Sequence, residues 1–213
     1  MFVNAAGFDS LRVAQQAGLA QNYTLLPLKG RYAISEQDVR DRYKMIIYPV
    51  PVKGAMNLGV HSTLTLDGRI KYGPTVFPAF SPTNYDYLEN VTPYDVAKTL
   101  HTFSYVLRSP TDRKLVGQYL TTELHKSLSI SSLLKEGSRV QSYDKDLTWK
   151  FYRAGIRPFL FDTENLKLVT DWKIETKPGQ VHVLNTVSPG WTSAMPFTRW
   201  IVDENILTLE QFR

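Results

Sequence analysis

One group of residues suited to chemistry surrounds a histidine. The predicted strand from Met56 to Thr65 places His61 on the same sheet face as Asn57, Thr63 and Tyr72, because side chains alternate along a strand. A histidine titrates near neutral pH and can accept a proton, so this face is a candidate wall of a substrate cavity. A solvated sheet face with a surface histidine fits the same pattern.

A second group lies near the end of the chain, where a strand, a tight turn and a helix follow one another. The strand is predicted from Val181 to Val187, the turn is Ser188-Pro189-Gly190, and Thr192 or Ser193 can cap the helix that follows. The N–H groups and positive end of such a helix suit a phosphate, a carboxylate or the electron-rich edge of a reduced ring. An ordinary strand–helix junction in an α+β core accounts for these residues as well.

The elements that must position His61 are antiparallel strands. Residues 25–34, 45–50 and 56–65 have strand patterns, and Asp67-Gly68 predicts a two-residue hairpin loop. That loop would place Thr63 opposite Tyr72 and His61 opposite Pro74. Helices are predicted from Thr92, which can cap the first of them, to Lys135, with a break at Ser109-Pro110. Strands return from Lys150 onward with a break at Gly155-Ile156-Arg157-Pro158, and a strand from Leu166 to Ile174 is predicted to pair with Gln180 to Val187 across Lys177-Pro178-Gly179. The pattern indicates an α+β fold with a mixed or antiparallel sheet and helices.

Composition excludes several kinds of site. The 213 residues include no cysteine, which excludes a disulfide scaffold, a thiolate nucleophile and Cys-based metal centres. The net charge is +5, but the 25 Lys and Arg are scattered, which favours a small anionic ligand over nucleic acid. The first residues resemble no signal or transit peptide.

The chain opens on what resembles the end of a buried strand, Phe2 to Gly7. In most folds such a strand is the last of a parallel sheet whose earlier units lie upstream. We therefore expect the chain to be the C-terminal part of a larger architecture, with an N-terminal segment missing.

Seven short motifs occur in an order that resembles one enzyme family. They are Val3-Asn4-Ala5-Ala6-Gly7, Leu28-Lys29-Gly30-Arg31-Tyr32, Tyr48-Pro49-Val50-Pro51, Leu58-Gly59-Val60-His61, Asp67-Gly68-Arg69 with Gly73-Pro74, Gly155-Ile156-Arg157-Pro158 and Ser188-Pro189-Gly190-Trp191-Thr192-Ser193. The chain resembles FAD-dependent oxidoreductases of the D-amino-acid oxidase superfamily over essentially its whole length, most closely the L-2-hydroxyglutarate dehydrogenase (oxidase) family. The family's G-x-G-x-x-G motif is absent, since no two of the twelve glycines are spaced as G-x-G.

The resemblance implies a division of the chain. Residues 1–22 would be a remnant of the FAD-binding domain, residues 23–150 a substrate or cap domain, and residues 151–213 a segment that returns to the Rossmann-like FAD-binding domain. The cofactor implied is FAD, which would contact Asn4, Ala6 and Gly7 on one side and Ser188, Pro189, Gly190, Trp191 and Thr192 on the other.

The resemblance also implies a reaction, the oxidation of an L-2-hydroxy acid to the 2-oxo acid by hydride transfer to flavin. Arg157, in a turn, would bind the substrate carboxylate with its planar guanidinium, and His61 would be the base. Arg31 and Tyr72 are further candidates for substrate binding, with Arg31 at the distal carboxylate. A solvated strand arginine is an equally good interpretation of Arg31.

The partners implied are a small 2-hydroxy acid and an electron acceptor, a quinone or oxygen, with no nucleic acid and no metal. The location implied is mitochondrial in a eukaryote, and otherwise cytoplasmic or peripheral to the inner membrane. Two other interpretations are open: a non-catalytic remnant that requires a partner chain, and a module that only binds carboxylates through Arg157 and His61.

Overall fold

The protein, described by a computed structural model, has an α+β fold that divides into two units. The structure describes residues 1–50, 59–86, 89–187 and 190–206. The terminal unit comprises Met1–Leu26 and the chain from Pro158 onward, and the middle unit comprises Pro27–Arg157.

The terminal unit contains a three-stranded sheet. Its elements are β1 (Phe2–Asn4), a 3₁₀ turn (Gly7–Asp9), α1 (Ser10–Gln16), β7 (Lys167–Leu168), β8 (Lys173–Lys177), β9 (Gln180–Asn185), α5 (Ala194–Ile201) and a π-helical turn (Val202–Ile206), together with the start of β2 (Tyr23–Ser35) and the end of β6 (Trp149–Asp162). The strand order in that sheet is β1-β9-β8. β1 pairs parallel with β9, so even three residues form a paired strand. The predicted pairing across Lys177-Pro178-Gly179 is confirmed by the antiparallel β8–β9 hairpin, although the predicted strand from Leu166 to Ile174 is interrupted between β7 and β8.

Among the described residues of the terminal unit, two apolar clusters form the core. The first packs α1 and the start of β2 against β9 and contains Leu11, Ala14, Ala20, Tyr23, Leu160 and Leu184. The second packs α5 on β9 and contains Val181, Val183, Phe197 and Ile201. Leu184 belongs to the first cluster and Val181 and Val183 to the second, so both faces of β9 are packed.

In the part of the middle unit that the structure describes, antiparallel strands pack with three helices. Its other elements are β3 (His61–Leu64), β4 (Ile70–Gly73), β5 (Phe77–Pro78), α2 (Pro93–Arg108), α3 (Asp112–Leu128) and α4 (Ile130–Gly137). The strand order is β3-β4-β2-β6, and β5 pairs with β2. Thr92 caps α2 as predicted, in a capping box with Asp95. Residues 45–50 do not form the predicted strand, because their only pairing among the described residues is the isolated bridge from Ile47 to Ser62.

The hairpin between β3 and β4 has a three-residue loop, so the predicted two-residue loop is wrong. Thr65 N donates to Arg69 O at 2.8 Å, and Gly68 N donates to Thr65 O at 3.0 Å. Gly68 has φ +83°, the left-handed conformation that ends a type I turn with a bulge. The register is therefore Thr63 to Lys71 and His61 to Gly73, one residue from the prediction. A one-residue slip reverses the face of every side chain on β4 relative to β3.

The predicted break around Arg157 is also wrong. β6 runs without interruption from Trp149 to Asp162 and includes both Gly155 and Pro158. Arg157 consequently belongs to a strand, which gives its backbone a fixed direction.

Among the described residues, no helix is long and apolar enough to span a membrane.

Candidate functional site

His61 lies at the start of β3 between two tyrosine rings. The Tyr48 ring stacks on the imidazole with 4.4 Å between ring centroids, and the Tyr32 ring meets it edge-on at 6.2 Å. The opposite residue on β4 is Gly73, and a Cβ there would lie 2.6 Å from Cδ1 of Tyr32. The missing side chain at Gly73 thus makes room for Tyr32 beside His61.

The hydrogen bonding of His61 fixes its tautomer. Nδ1 lies 3.1 Å from the carbonyl oxygen of Gly59, which can only accept, so Nδ1 carries the proton in the neutral ring. Nε2 then holds the lone pair. Nε2 is the nitrogen that can accept a proton, and no described residue donates a hydrogen bond to it.

The surroundings keep the imidazole neutral. Burial lowers the pKa of His61, the bond to Gly59 opposes this effect, and the positive charges of Arg157 and Lys71 lower the pKa further. Burial raises the pKa of Tyr32, while Arg157 acts in the opposite direction. Arg157 is therefore close enough to act on both rings. At neutral pH His61 is an unprotonated base beside two cations.

Neither cation has a carboxylate partner in the part of the chain that the structure describes. Arg157 is exposed and Lys71 is half-buried, and no described Asp or Glu lies within 4.0 Å of either charged group. Lys71 Nζ lies 4.6 Å from the centroid of Tyr32 and 5.9 Å from that of Tyr152. Burial lowers the pKa of Lys71. An anionic ligand would complete the charge balance at this place.

Tyr72 does not belong to this site, contrary to the prediction. The observed register pairs it with Ser62 and Ala33, and its side chain is fully buried in the core of the middle unit. Its hydroxyl donates to the Ser142 carbonyl at 3.3 Å. The core around it contains Ala33, Val39, Tyr43, Val60, Ile70, Leu133, Leu134 and Leu147. Tyr72 is a core residue because the three-residue hairpin loop turns it away from His61.

Arg31 is not brought to His61 either. It follows Gly30 and precedes Tyr32 on β2, and adjacent residues of a strand point to opposite faces. Its guanidinium lies 4.0 Å from the centroid of the Phe151 ring, and Nη1 donates to the Ser127 carbonyl at 3.4 Å. The structure places Tyr32, not Arg31, next to the histidine.

In the terminal unit, Asn4 has a structural environment. Its Nδ2 donates to the Ser10 carbonyl at 2.8 Å and to Nδ1 of His182 at 3.0 Å, and its Oδ1 accepts from Ala6 N at 3.3 Å. His182 is fully buried, and its Nε2 lies 3.1 Å from Oε1 of Gln180. Asn4 thus links the end of β1 to α1 and shapes the backbone at Ala6.

Ala6 and Gly7 follow the carboxyl end of β1, and Gly190 to Thr192 follow β9. β1 and β9 are parallel neighbours, so the segments that follow them leave from their carboxyl ends. Ala6 and Gly7 are exposed, and a Cβ at Gly7 would meet no atom within 4 Å. Small, open residues at this edge fit the close approach of a flat ring.

The turn after β9 is described only in part. Ser188 and Pro189 lie outside the described residues. Gly190 to Thr192 form a turn before α5, and the side chain of Trp191 is 93% exposed. Ser193 precedes the helix, as predicted, without a side-chain capping bond to it.

Three residues next to His61 were not predicted as site residues from the sequence. Tyr32 and Tyr48 lie within motifs that carry the family resemblance, and Lys71 lies two residues before Gly73. Lys71 could have been found from the glycine at the third loop position of Leu66-Asp67-Gly68, which is typical of a three-residue hairpin loop.

Comparisons with known proteins find no matching family model but several relatives that share one name. No protein-family model matches the chain. The chain is 29% identical over 212 residues to "L-2-hydroxyglutarate dehydrogenase, mitochondrial" of Caenorhabditis elegans, which is 96% of this chain and 47% of that protein. It is 27% identical over 208 residues to "L-2-hydroxyglutarate dehydrogenase" of Escherichia coli K12, 95% of this chain and 46% of that protein.

The human "L-2-hydroxyglutarate dehydrogenase, mitochondrial" is 28% identical over 213 residues, which is 95% of this chain and 43% of the human protein. The chain therefore spans a little under half the length of the curated relatives it matches. The resemblance found in the short motifs is confirmed: nearly the whole chain is similar to proteins named as L-2-hydroxyglutarate dehydrogenases in a nematode, a bacterium and a human.

Proposed function

We propose that the chain supplies the substrate-binding residues and the proton acceptor of an FAD-dependent oxidoreductase that converts an L-2-hydroxy acid resembling 2-hydroxyglutarate into the 2-oxo acid. The observation that carries this proposal is the contact of His61 Nδ1 with the Gly59 carbonyl, which assigns proton acceptance to Nε2, in a ring whose pKa is lowered by burial and by the cations Arg157 and Lys71. The names of the relatives support the same reaction.

Oxidation of a secondary alcohol requires the loss of a hydride from carbon and of a proton from oxygen. When bound, FAD would accept the hydride from C2. The proton leaves the hydroxyl group as the C2–O bond becomes a carbonyl, and His61 Nε2 is the acceptor we assign to it. The proton on Nδ1 stays in its bond to Gly59 O, which keeps the ring oriented while Nε2 gains its proton.

Arg157 binds the 2-carboxylate in this proposal. A guanidinium offers two parallel donors to a carboxylate, which fixes the plane of the group as well as its position. Orientation matters here because the hydroxyl proton must point at Nε2 of His61.

The first test is product formation. The chain is joined to a segment that supplies the G-x-G-x-x-G motif, which the chain itself lacks, and is loaded with FAD. This protein is incubated with L-2-hydroxyglutarate and an artificial electron acceptor, and 2-oxoglutarate is measured, with the D-enantiomer as control. We expect 2-oxoglutarate from the L-enantiomer only. Binding of the acid by flavin-loaded protein without any product would contradict the proposal and favour a module that only binds carboxylates. The absence of both binding and product would favour the non-catalytic remnant.

A variant tests the role of Arg157. Lysine retains the charge of Arg157 but loses the two-pronged geometry, so Arg157→Lys should raise KM for the 2-hydroxy acid by roughly 10- to 100-fold, the range given by about 1.5–3 kcal/mol for a charge-assisted bond. Arg139→Lys is the control, since Arg139 is exposed and paired with Glu136. An unchanged KM in Arg157→Lys would remove Arg157 from the substrate site.

A further inference from the structure

Lys71 is a cation that the proposed reaction itself does not use. The 2-carboxylate is assigned to Arg157 and the hydroxyl proton to His61, so the chemistry at C2 is complete without a second positive charge. Yet Lys71 lies opposite Thr63 on the strand next to His61, and its charge acts on the imidazole. A further ligand group with negative charge would give this lysine a role.

The position of Lys71 is held by its neighbours. β4 lies between β3 and β2, and Lys71 pairs with Thr63 on one side and with Ile34 on the other. The rings of Tyr32 and Tyr152 flank the ammonium group at 4.6 and 5.9 Å. The aromatic rings attract the ammonium group and restrict it, but they do not neutralise its charge. No described carboxylate lies within salt-bridge distance of it.

Resting on the proposed function, we infer that Lys71 binds the distal carboxylate of the substrate and thereby selects dicarboxylic over monocarboxylic 2-hydroxy acids. Arg157 and Lys71 then bind the two ends of one dianion, with Tyr32 between the lysine and His61. This assignment replaces Arg31, whose guanidinium stacks on Phe151 at 4.0 Å. Lys71 is a specificity-determining residue in this scheme, and it takes no part in proton transfer.

The test measures binding, so it needs no flavin and no turnover. Two probes of equal chain length are titrated into the full chain by calorimetry: 2-oxoglutarate, a dianion, and 2-oxopentanoate, which has a methyl group in place of the distal carboxylate. Lys71→Met removes the charge but retains an unbranched side chain, and Lys71→Arg restores the charge. Lys98→Met, at an exposed position on α2, is the control for loss of one surface charge.

We expect the parental chain to prefer 2-oxoglutarate and Lys71→Met to weaken that binding by about tenfold or more, the range of a hydrogen bond to a charged group. Binding of 2-oxopentanoate should be unchanged in Lys71→Met. Lys71→Arg should recover most of the preference, and Lys98→Met should retain all of it. Thermal unfolding of each variant confirms that the fold is intact.

The possible failures are distinguishable. If Lys71→Met changes the binding of both probes equally, or of neither, the inference about Lys71 is overturned, while sensitivity of both probes to Arg157→Lys would still support the proposed site. If the parental chain binds neither probe, both the inference and the proposed substrate site are overturned.

Discussion

His61 in the middle unit and His182 in the terminal unit differ in one decisive respect. Both are buried and both have a pKa lowered first by burial. His182 uses both ring nitrogens, since Nδ1 accepts from Asn4 and Nε2 is bonded to Gln180. His61 uses only Nδ1 in the bonds that the described residues make. A lowered pKa therefore does not identify a base, because the lone pair must also be available.

The largest expected effect separates these two histidines by activity. His61→Asn retains a polar side chain but cannot accept the proton, so oxidation at saturating substrate should slow by roughly 10²- to 10⁴-fold, with little change in substrate binding. His182→Asn should change the rate per flavin-loaded molecule far less. Anaerobic stopped-flow reduction measures the step directly. A His61→Asn protein that reduces its flavin at the parental rate from pH 6 to 9 would make His61 a structural residue.

A smaller effect tests whether the absence of a side chain at Gly73 leaves space for the Tyr32 ring beside His61. In Gly73→Ala the new Cβ would lie 2.6 Å from Cδ1 of Tyr32 and 2.8 Å from the Arg31 carbonyl, at a φ of +150°. We expect a loss of about 1–3 kcal/mol in the free energy of unfolding, measured by denaturant titration. Gly117→Ala is the control, because no atom lies within 4 Å of its added Cβ and alanine favours the helix. Equal stability of the two variants would contradict the described packing of Tyr32.

The smallest effect is a pH dependence of stability. A histidine whose pKa is lower in the folded state favours folding above its ordinary value of about 6.5, and this contribution is lost as the pH falls through the folded value. The midpoint of thermal unfolding should therefore fall as the pH is lowered from 7 to 5. Protonation of His182 also places a second donor against the Asn4 amide, which adds to the loss.

The variant for this prediction is His182→Gln, which cannot be protonated. Its unfolding midpoint should fall less steeply below pH 6.5 than that of the parental protein. His101→Gln, at an exposed position on α2, is the control and should follow the parental profile. If the unfolding midpoint of His182→Gln falls with pH as steeply as that of the parental protein, His182 does not contribute to the pH dependence.

Short sequence patterns correctly predicted several helices and strands of the fold. The predicted strand at 25–34 is part of β2, the Thr92 cap begins α2, and Ser109-Pro110 separates α2 from α3. These predictions succeeded because strand alternation, capping and proline act over a few residues. The motifs carrying His61 and Arg157 were also visible in the sequence, and the positive charge of Arg157 contributes to lowering the pKa of His61.

Only the tertiary structure decided which side chains surround His61. The hairpin loop has three residues, so Lys71 and not Tyr72 lies on the histidine's face, and Tyr72 enters the core. β6 passes through Gly155 and Pro158 as a strand because pairing with its neighbours outweighs the local tendency to break. The tautomer of His61 depends on the Gly59 carbonyl at 3.1 Å. The residue types and their order determine which groups are present, but one residue of register decides which of them meet, since it reverses every side chain on a strand.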